Sequence, residues 1–568
     1  MLPLPAMSPL AHIFRFHCSR FSNRHSSCRR SVALSLAFGF CVALVHGPLH
    51  AATIDVTTHG AHPDDQDDDT VAIQEAMDAA AEGDKVYLPA GTYRISKFLA
   101  PKSATKIIGA GANSTTILYV GDTPHSLLSI TKAKNVEVAN LTLDGGGSKT
   151  PSEDGIKAEL SSDLYIHDIA VRNLGSHHDG DGIQLAQKVT DSRFENCTFS
   201  NIGVGDKWSS GFRISHGSSR NRIIGNTIDQ TGRGGILCND GCNDLIIQKN
   251  KITGSGGENL GIELWGGVPC DRAIVEDNQV DHWLSISGSN FAAVRRNQIA
   301  ADDGIIGLTA IECVATHDSI FTDNIATGGF TDGVSISAGP EQYDFFAYNS
   351  FSNSTLWGMQ IQGDAGGARN LYFYKDTYAA TKTGPHTPLD TGYGIRINGN
   401  THFLTLDSVT IKDNPSWAIQ GIGVGSNVDG LSVVNCILSN NRSNYSWAGS
   451  MKNIEWENNS VSAFATNSVP SNSGFTDAKP VAVIECPDKA EVGEPVTFTS
   501  KSTDSDGTIA HTLWDLGVGA PIAESAASYT FTKAGSYRIS LLVWDEAGRG
   551  GHAEKTIEIS LRASAQTN

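Results

Sequence analysis

Between residues 154 and 425 the chain keeps returning to one short strand with a small residue ahead of it. DGIKAEL from Asp154, DGIQLAQ from Asp181, SGFRISH from Ser210 and LGIELWG from Leu260 are followed by TAIECVA from Thr309, DGVSISA from Asp332 and YGIRING from Tyr393. With the intervening repeats that start at Gly234, Trp283, Trp357 and Trp417, successive starts lie mostly 23 to 29 residues apart. A unit that short cannot bury its own apolar side, so it must stack on its neighbours as a repeat architecture. A second row keeps the same period: Asn226, Asn250, Asn278, Asn297, Asn324 and Asn349 each end an apolar segment.

Leucine-rich repeats would show leucine at fixed offsets and a helical pattern in every unit, but these units are β-branched and rich in asparagine. With 59 Gly, 19 Pro and 18% charged residues the composition suits a turn-rich β protein. The pattern predicts an all-β, right-handed parallel β-helix in which equivalent residues of successive turns form rows spaced by ~4.8 Å. The Asn row reads as a structural ladder, because stacked amides hydrogen-bond to one another and Asn tolerates the left-handed bend.

The opening carries the most specific resemblance. Asp55-Val56 through Gly60-Ala61, DDDTVAIQEAMDAA from Asp67 and KVYLPAGTYRIS from Lys85 resemble the first segment of polygalacturonase-like members of the pectate-lyase-like β-helix superfamily, and the likeness covers roughly residues 53 to 462. Asp69 or Thr70 can cap a helix whose Val71, Ile73, Ala76, Met77 and Ala80 form an apolar face, suited to lid the open end of the coil. Members of this superfamily bind, cleave or epimerise polysaccharides, and some are tailspikes or adhesins, so the fold leaves the chemistry open.

Residues 1 to 52 read as an export signal, with Arg15, Arg20, Arg24, Arg29 and Arg30 ahead of the apolar run Val32 to Val45 and no acidic residue before Asp55. That run falls short of the ~20 residues a spanning helix needs. The expectation is a secreted or periplasmic protein with no stable membrane insertion after cleavage. Lys+Arg 42 against Asp+Glu 61 gives −19, which excludes bulk attraction to nucleic acid or anionic membrane but permits a local basic groove. Residues 463 to 478 read as a linker, and 479 to 562 as a small C-terminal β-sandwich. Its Asp504-Ser-Asp506-Gly507 and Trp514-Asp515-Leu516-Gly517 resemble a polycystic-kidney-disease (PKD) domain, with Val518-Gly519 where that family carries Asp-Gly. A spacer or weak glycan-binding role is implied, with the linker separating two self-contained cores.

In each strand the residue between two apolar positions points outward. The resulting row runs Lys157, Gln184, Arg213, Leu237, Glu263, Ser285, Glu312, Ser335, Gln360, Arg396, Gln420. Its two acids, Glu263 and Glu312, stand two turns apart at ~9.6 Å, close to the separation an inverting glycosidase uses for its acid and base. The leading expectation is therefore an inverting glycoside hydrolase acting on a polysaccharide, with Trp265 stacking on a sugar ring. A rival centre lies in SHHDGDG: Asp181 with His178, Arg213 and His216 could neutralise a uronate and abstract its C5 proton, as a lyase or C5-epimerase does. Asp154 and Asp179 would then be candidate Ca²⁺ ligands. No cofactor is expected for hydrolysis. A non-catalytic, glycan-binding or adhesin-like coil is the third reading. Polygalacturonase motifs are at most echoed, by Asp302-Asp303 and Ser215-His216-Gly217, so pectin hydrolysis is not supported.

Of the ten Cys, Cys242 and Cys270 each precede a ladder asparagine by the same offset, which places them on consecutive turns. A disulfide is expected there, since the inter-turn spacing lies within the Cα range a disulfide accepts. Cys238 should instead face the core.

Overall fold

The computed structural model describes residues 51–562 apart from 148–149, 176–179, 206–207, 257–259, 302–308, 338–341, 380–391, 423–426, 448 and 464–473. The expected export signal and most of the expected linker lie outside the described residues. The chain forms a parallel β-helix followed by a small antiparallel β-sandwich, with one short helix at the start. No helix among the described residues is long and apolar enough to cross a membrane.

The coil has three faces. The first carries the repeat strands, such as Ile183–Gln187, Ser210–Ser215 and Leu260–Trp265. The second is built of three-residue strands, such as Arg222–Ile224 and Ala293–Arg295. The third is a 15-stranded parallel sheet. Strands Trp357–Tyr374 and Tyr393–Asp407 run around the corner between the first two faces and join them into one 27-stranded sheet. Alternation drives the local structure: Ile262 and Leu264 are buried while Glu263 between them is not, and Phe212, Arg213 and Ile214 repeat the arrangement.

At the open end, helix Thr70–Ala79 buries Ile73, Ala76 and Met77, as a lid should. Val71, expected on the apolar face, points to solvent. The first-turn N–H of Thr70 is met by the Asp68 carboxylate at 2.9 Å. Asp69 instead accepts from the backbone of His62 and Arg94 and ties the helix to the coil.

The asparagine row is a continuous buried ladder. Each Oδ1 accepts from the backbone N–H and the Nδ2 of the asparagine one turn back, as between Asn250 and Asn278 at 2.9 and 3.1 Å, while each Nδ2 also donates to a backbone carbonyl. This satisfies polar groups at a bend that has no strand partner. After Asn349 the position is taken by Asp376, which accepts from Asn349 N at 2.7 Å and Nδ2 at 3.0 Å. Burial pushes the Asp376 carboxyl up to about 8. A carboxyl raised above its ordinary value holds a proton in the folded state that the unfolded chain releases, so stability falls as pH climbs from about 4 to about 8. Asp376→Asn should keep the two accepted bonds and remove this penalty, with a gain that grows by up to ~1.4 kcal/mol per pH unit across that window. Urea unfolding at pH 5 and pH 8.5 checks it: a variant no more stable than the parent at pH 8.5 refutes the assignment.

The sandwich has a three-stranded sheet and a four-stranded sheet around Phe498, Trp514, Leu541 and Val543. The coil and the sandwich each keep their own core, as expected, and in addition the four-stranded sheet packs on the second face of the coil. Leu513, Leu542 and Trp544 form one buried cluster with Ala293, Ile320, Phe345, Ala347 and Tyr372. Polar contacts frame it: Arg295 pairs with Asp515 at 2.7 Å, Asp318 with His511 at 2.5 Å, and Arg549 with Glu455 at 3.0 Å. The reason is local to both partners, because the outward rows of these two sheets are themselves apolar.

Cys242 and Cys270 occupy equivalent positions on consecutive turns, since Ile246 pairs with Ile274 four residues beyond each. The expected disulfide is not there: both are buried free thiols. The Cys242 thiol is satisfied as a donor to the Asn239 carbonyl at 3.2 Å, and its hydrogen bond with Cys270 pushes it up while pulling Cys270 down. Cys238 faces the core.

Candidate functional site

The outward row of the first face keeps the expected register turn by turn. Lys157 pairs with Gln184 and Gln184 with Arg213. Arg213 pairs with Leu237, Leu237 with Glu263, Glu263 with Ser285 and Ser285 with Glu312. The coil thus brings Arg213, Glu263 and Glu312 to one face, and Trp265 lies 54% exposed beside Glu263.

The two glutamates differ in surroundings. Glu312 accepts from Ser285 Oγ at 2.7 Å, and burial pushes its carboxyl up against that hydrogen bond. Glu263 lies 3.5 Å from the guanidinium of Arg233, which also rests over the Trp208 ring with 5.2 Å to its centroid. Neither Arg233 nor Trp208 was singled out by the sequence pattern. Both lie just ahead of repeat strands, Arg233 before GGILCND and Trp208 before SGFRISH, and that position was the available signal.

Asp181, expected as a catalytic residue, lies inside the corner of the coil. Its side chain is fully buried, at 0% exposure. It accepts from Ser210 N at 2.8 Å and Ser210 Oγ at 2.5 Å, and from Arg213 Nε at 3.0 Å. One turn back, Asp154 accepts from Ser126 Oγ at 2.9 Å and from the Asp181 N–H at 3.0 Å. Ser126, Asp154, Asp181 and Ser210 are a polar corner ladder, a counterpart of the asparagine row. Burial pushes the Asp154 carboxyl up to about 8, with repulsion from Asp181 adding to it. Burial also pushes Asp181 up, with Arg213 opposing. Both Asp154 oxygens, expected as candidate metal ligands, are taken up by the hydrogen bonds from Ser126 and the Asp181 N–H. The Asp181 carboxylate holds Arg213, whose terminal nitrogen also donates to the Trp208 carbonyl.

His178 and Asp179 lie outside the described residues, as do Asp302 and Asp303. Among the described residues no three His, Cys, Asp or Glu side chains cluster as a metal site would require. His216, at the end of the Arg213 strand, is 63% exposed with its Nε2 3.8 Å from Asp240.

The coil and the sandwich have counterparts among known proteins. Residues 53–263 match the family described as rhamnogalacturonase A/epimerase, pectate lyase-like, and residues 477–561 match the PKD domain. Mannuronan C5-epimerase AlgE5 of Azotobacter vinelandii is 28% identical over 236 residues, 37% of this chain and 22% of that protein. Alginate lyase 7 of the same organism is 39% identical over 114 residues, 17% of this chain and 13% of the relative. The chain thus spans about a fifth of the length of the epimerase. The A-module of Azotobacter vinelandii mannuronan C-5 epimerase AlgE6 aligns over 72% of this chain and 99% of its own, at 16% identity and a TM-score of 0.33. Residues 53–263 are thus a pectate-lyase-like, rhamnogalacturonase/epimerase-type β-helix domain, and residues 477–561 a C-terminal PKD domain.

Proposed function

We propose that the chain acts on a uronate-containing polysaccharide by removing the C5 proton of a uronate residue, as a C5-epimerase or a lyase. The observation that carries this is Arg213, a guanidinium on the outward row held by a fully buried carboxylate. A proton next to a carboxylate becomes removable when that carboxylate's charge is neutralised by a fixed cation, because the developing charge flows into it. Lys157, two turns away on the same row, adds a second cation. We assign the proton acceptor to His216, whose exposed imidazole ends the same strand. The C5 proton passes to the imidazole and the electron pair moves into the carboxylate. Either a proton then returns on the other face, giving the epimer, or the pair returns to form a C4–C5 double bond as the C4–O bond breaks and the departing oxygen takes a proton from water, giving an unsaturated end. The likeness to C5-epimerases and to an alginate lyase supports this over hydrolysis.

The hydrolytic reading keeps one specific support: two acids two turns apart, one raised by burial and one beside a cation. A panel of uronate and neutral polysaccharides in D₂O separates the readings. Solvent deuterium at C5, or an ultraviolet-absorbing unsaturated end, is expected, and Glu312→Gln should change the rate less than about tenfold. Reducing ends with neither signature, abolished in Glu312→Gln by the ~10² or more that removal of a general acid costs, would establish hydrolysis instead. No change in any polymer would leave a binding coil.

A further inference from the structure

The sandwich covers the second face of the coil from Ala293 to Tyr372. Beneath it lies a cleft of about 730 Å³ with one wall from each domain. Its four carboxylates are all committed. Glu276 and Asp277 each meet Arg296 at 2.7 Å, Asp323 meets Arg538 at 2.5 Å, and Asp515 meets Arg295 at 2.7 Å. Three further lining cations, Arg222, Lys249 and Lys533, are exposed and form no ion pair among the described residues. A chain of net charge −19 has therefore placed an uncommitted positive surplus in one concave site. Arg295, buried at 1% exposure, also lines the cleft, and its Nε has no hydrogen-bond partner.

The rest of the lining suits a sugar chain. The rings of Tyr529 and Tyr537 are half-buried on the sandwich wall, and Ile246 and Ile274 face them from the coil. Half-buried aromatic rings stack on pyranose faces, and fixed cations select rings that carry carboxylates. Val518-Gly519, the point at which the turn departs from the PKD pattern, lines the same cleft. Valine there avoids a negative charge that would repel an anionic ligand.

We infer that this interdomain cleft is a second, non-catalytic site that binds a uronate oligosaccharide, formed jointly by the coil and the PKD domain. The choice of uronate rests on the proposed function, while the site itself rests on the cleft.

The test uses the whole chain, a size-defined uronate oligosaccharide and its neutral analogue, with binding followed by calorimetry apart from turnover. Arg222→Glu with Lys533→Glu should weaken uronate binding at least ~100-fold, about tenfold for each charge-assisted hydrogen bond removed, and Tyr537→Ala should weaken it further. Turnover of short oligomers should be unchanged. If uronate is bound but never turned over, and the double variant no longer binds it, the cleft site stands and the proposed activity fails. Binding unaffected by the double variant, binding abolished by Arg213→Ala alone, or equal affinity for the neutral analogue would each overturn the inference.

Discussion

Removing residues 463 to 568 should leave a coil that self-associates and melts without a single cooperative transition. The cut uncovers Ala293, Ile320, Phe345, Ala347 and Tyr372, all buried in the whole chain, as one contiguous apolar surface on the second face. Each of the larger side chains gains ~1.5–3 kcal/mol from full burial, and a patch of this kind on a free surface drives association. The cut also removes Asp515 and the Gly519 carbonyl from Arg295, His511 from Asp318 and Glu554 from Tyr348. A gentler version keeps the chain whole: Leu542→Glu places a charge in the cluster and should lower the melting temperature by several degrees, because a buried, unpaired carboxylate is costly. Light scattering and calorimetry decide the matter. A truncated chain that is monomeric and unfolds in one transition within about two degrees of the parent would show that the two domains are energetically independent.

Arg213→Ala should lower kcat/KM on the uronate polymer that the protein turns over by ~10²–10³, the usual cost of deleting one fixed group that stabilises developing charge. Arg213→Lys should recover little of it. An ammonium cannot keep both the bond to Asp181 and the one to the Trp208 carbonyl while presenting a planar donor pair outward. Added guanidinium should partly rescue Arg213→Ala, a response that a merely structural defect would not give. Asp181→Asn should act through Arg213: binding weakens and the melting temperature changes little, since the amide can still accept from Ser210. Activity of Arg213→Ala within about threefold of the parent would remove this residue from the mechanism.

The row register was legible from the sequence alone. In a parallel coil every strand must alternate between core and solvent, and any one-residue slip would bury Glu263 or Arg213 in place of Ile262 or Ile214, so only one stacking of the repeats is compatible with the pattern. The asparagine ladder followed from the same period. The sequence also marked the face on which Arg213, Glu263, Glu312 and Trp265 meet, because equivalent positions of successive turns must stack.

What the sequence left undecided depends on contacts that carry no periodicity. Asp154 and Asp181 precede glycine in the sequence, and only the fold shows them buried against Ser126 and Ser210 in a ladder that holds Arg213. The docking of the sandwich was likewise hidden. Leu541-Leu542-Val543-Trp544 does announce a strand buried on both sides, but the sequence names no partner for its second side. Ala293, Ile320 and Phe345 sit in an apolar outward row whose cover only the second domain supplies. Periodic burial within one coil is local and repeats, so it is written in the spacing. Burial between two folded surfaces happens once, between residues some two hundred positions apart, as for Arg295 and Asp515, and the tertiary structure alone decides it.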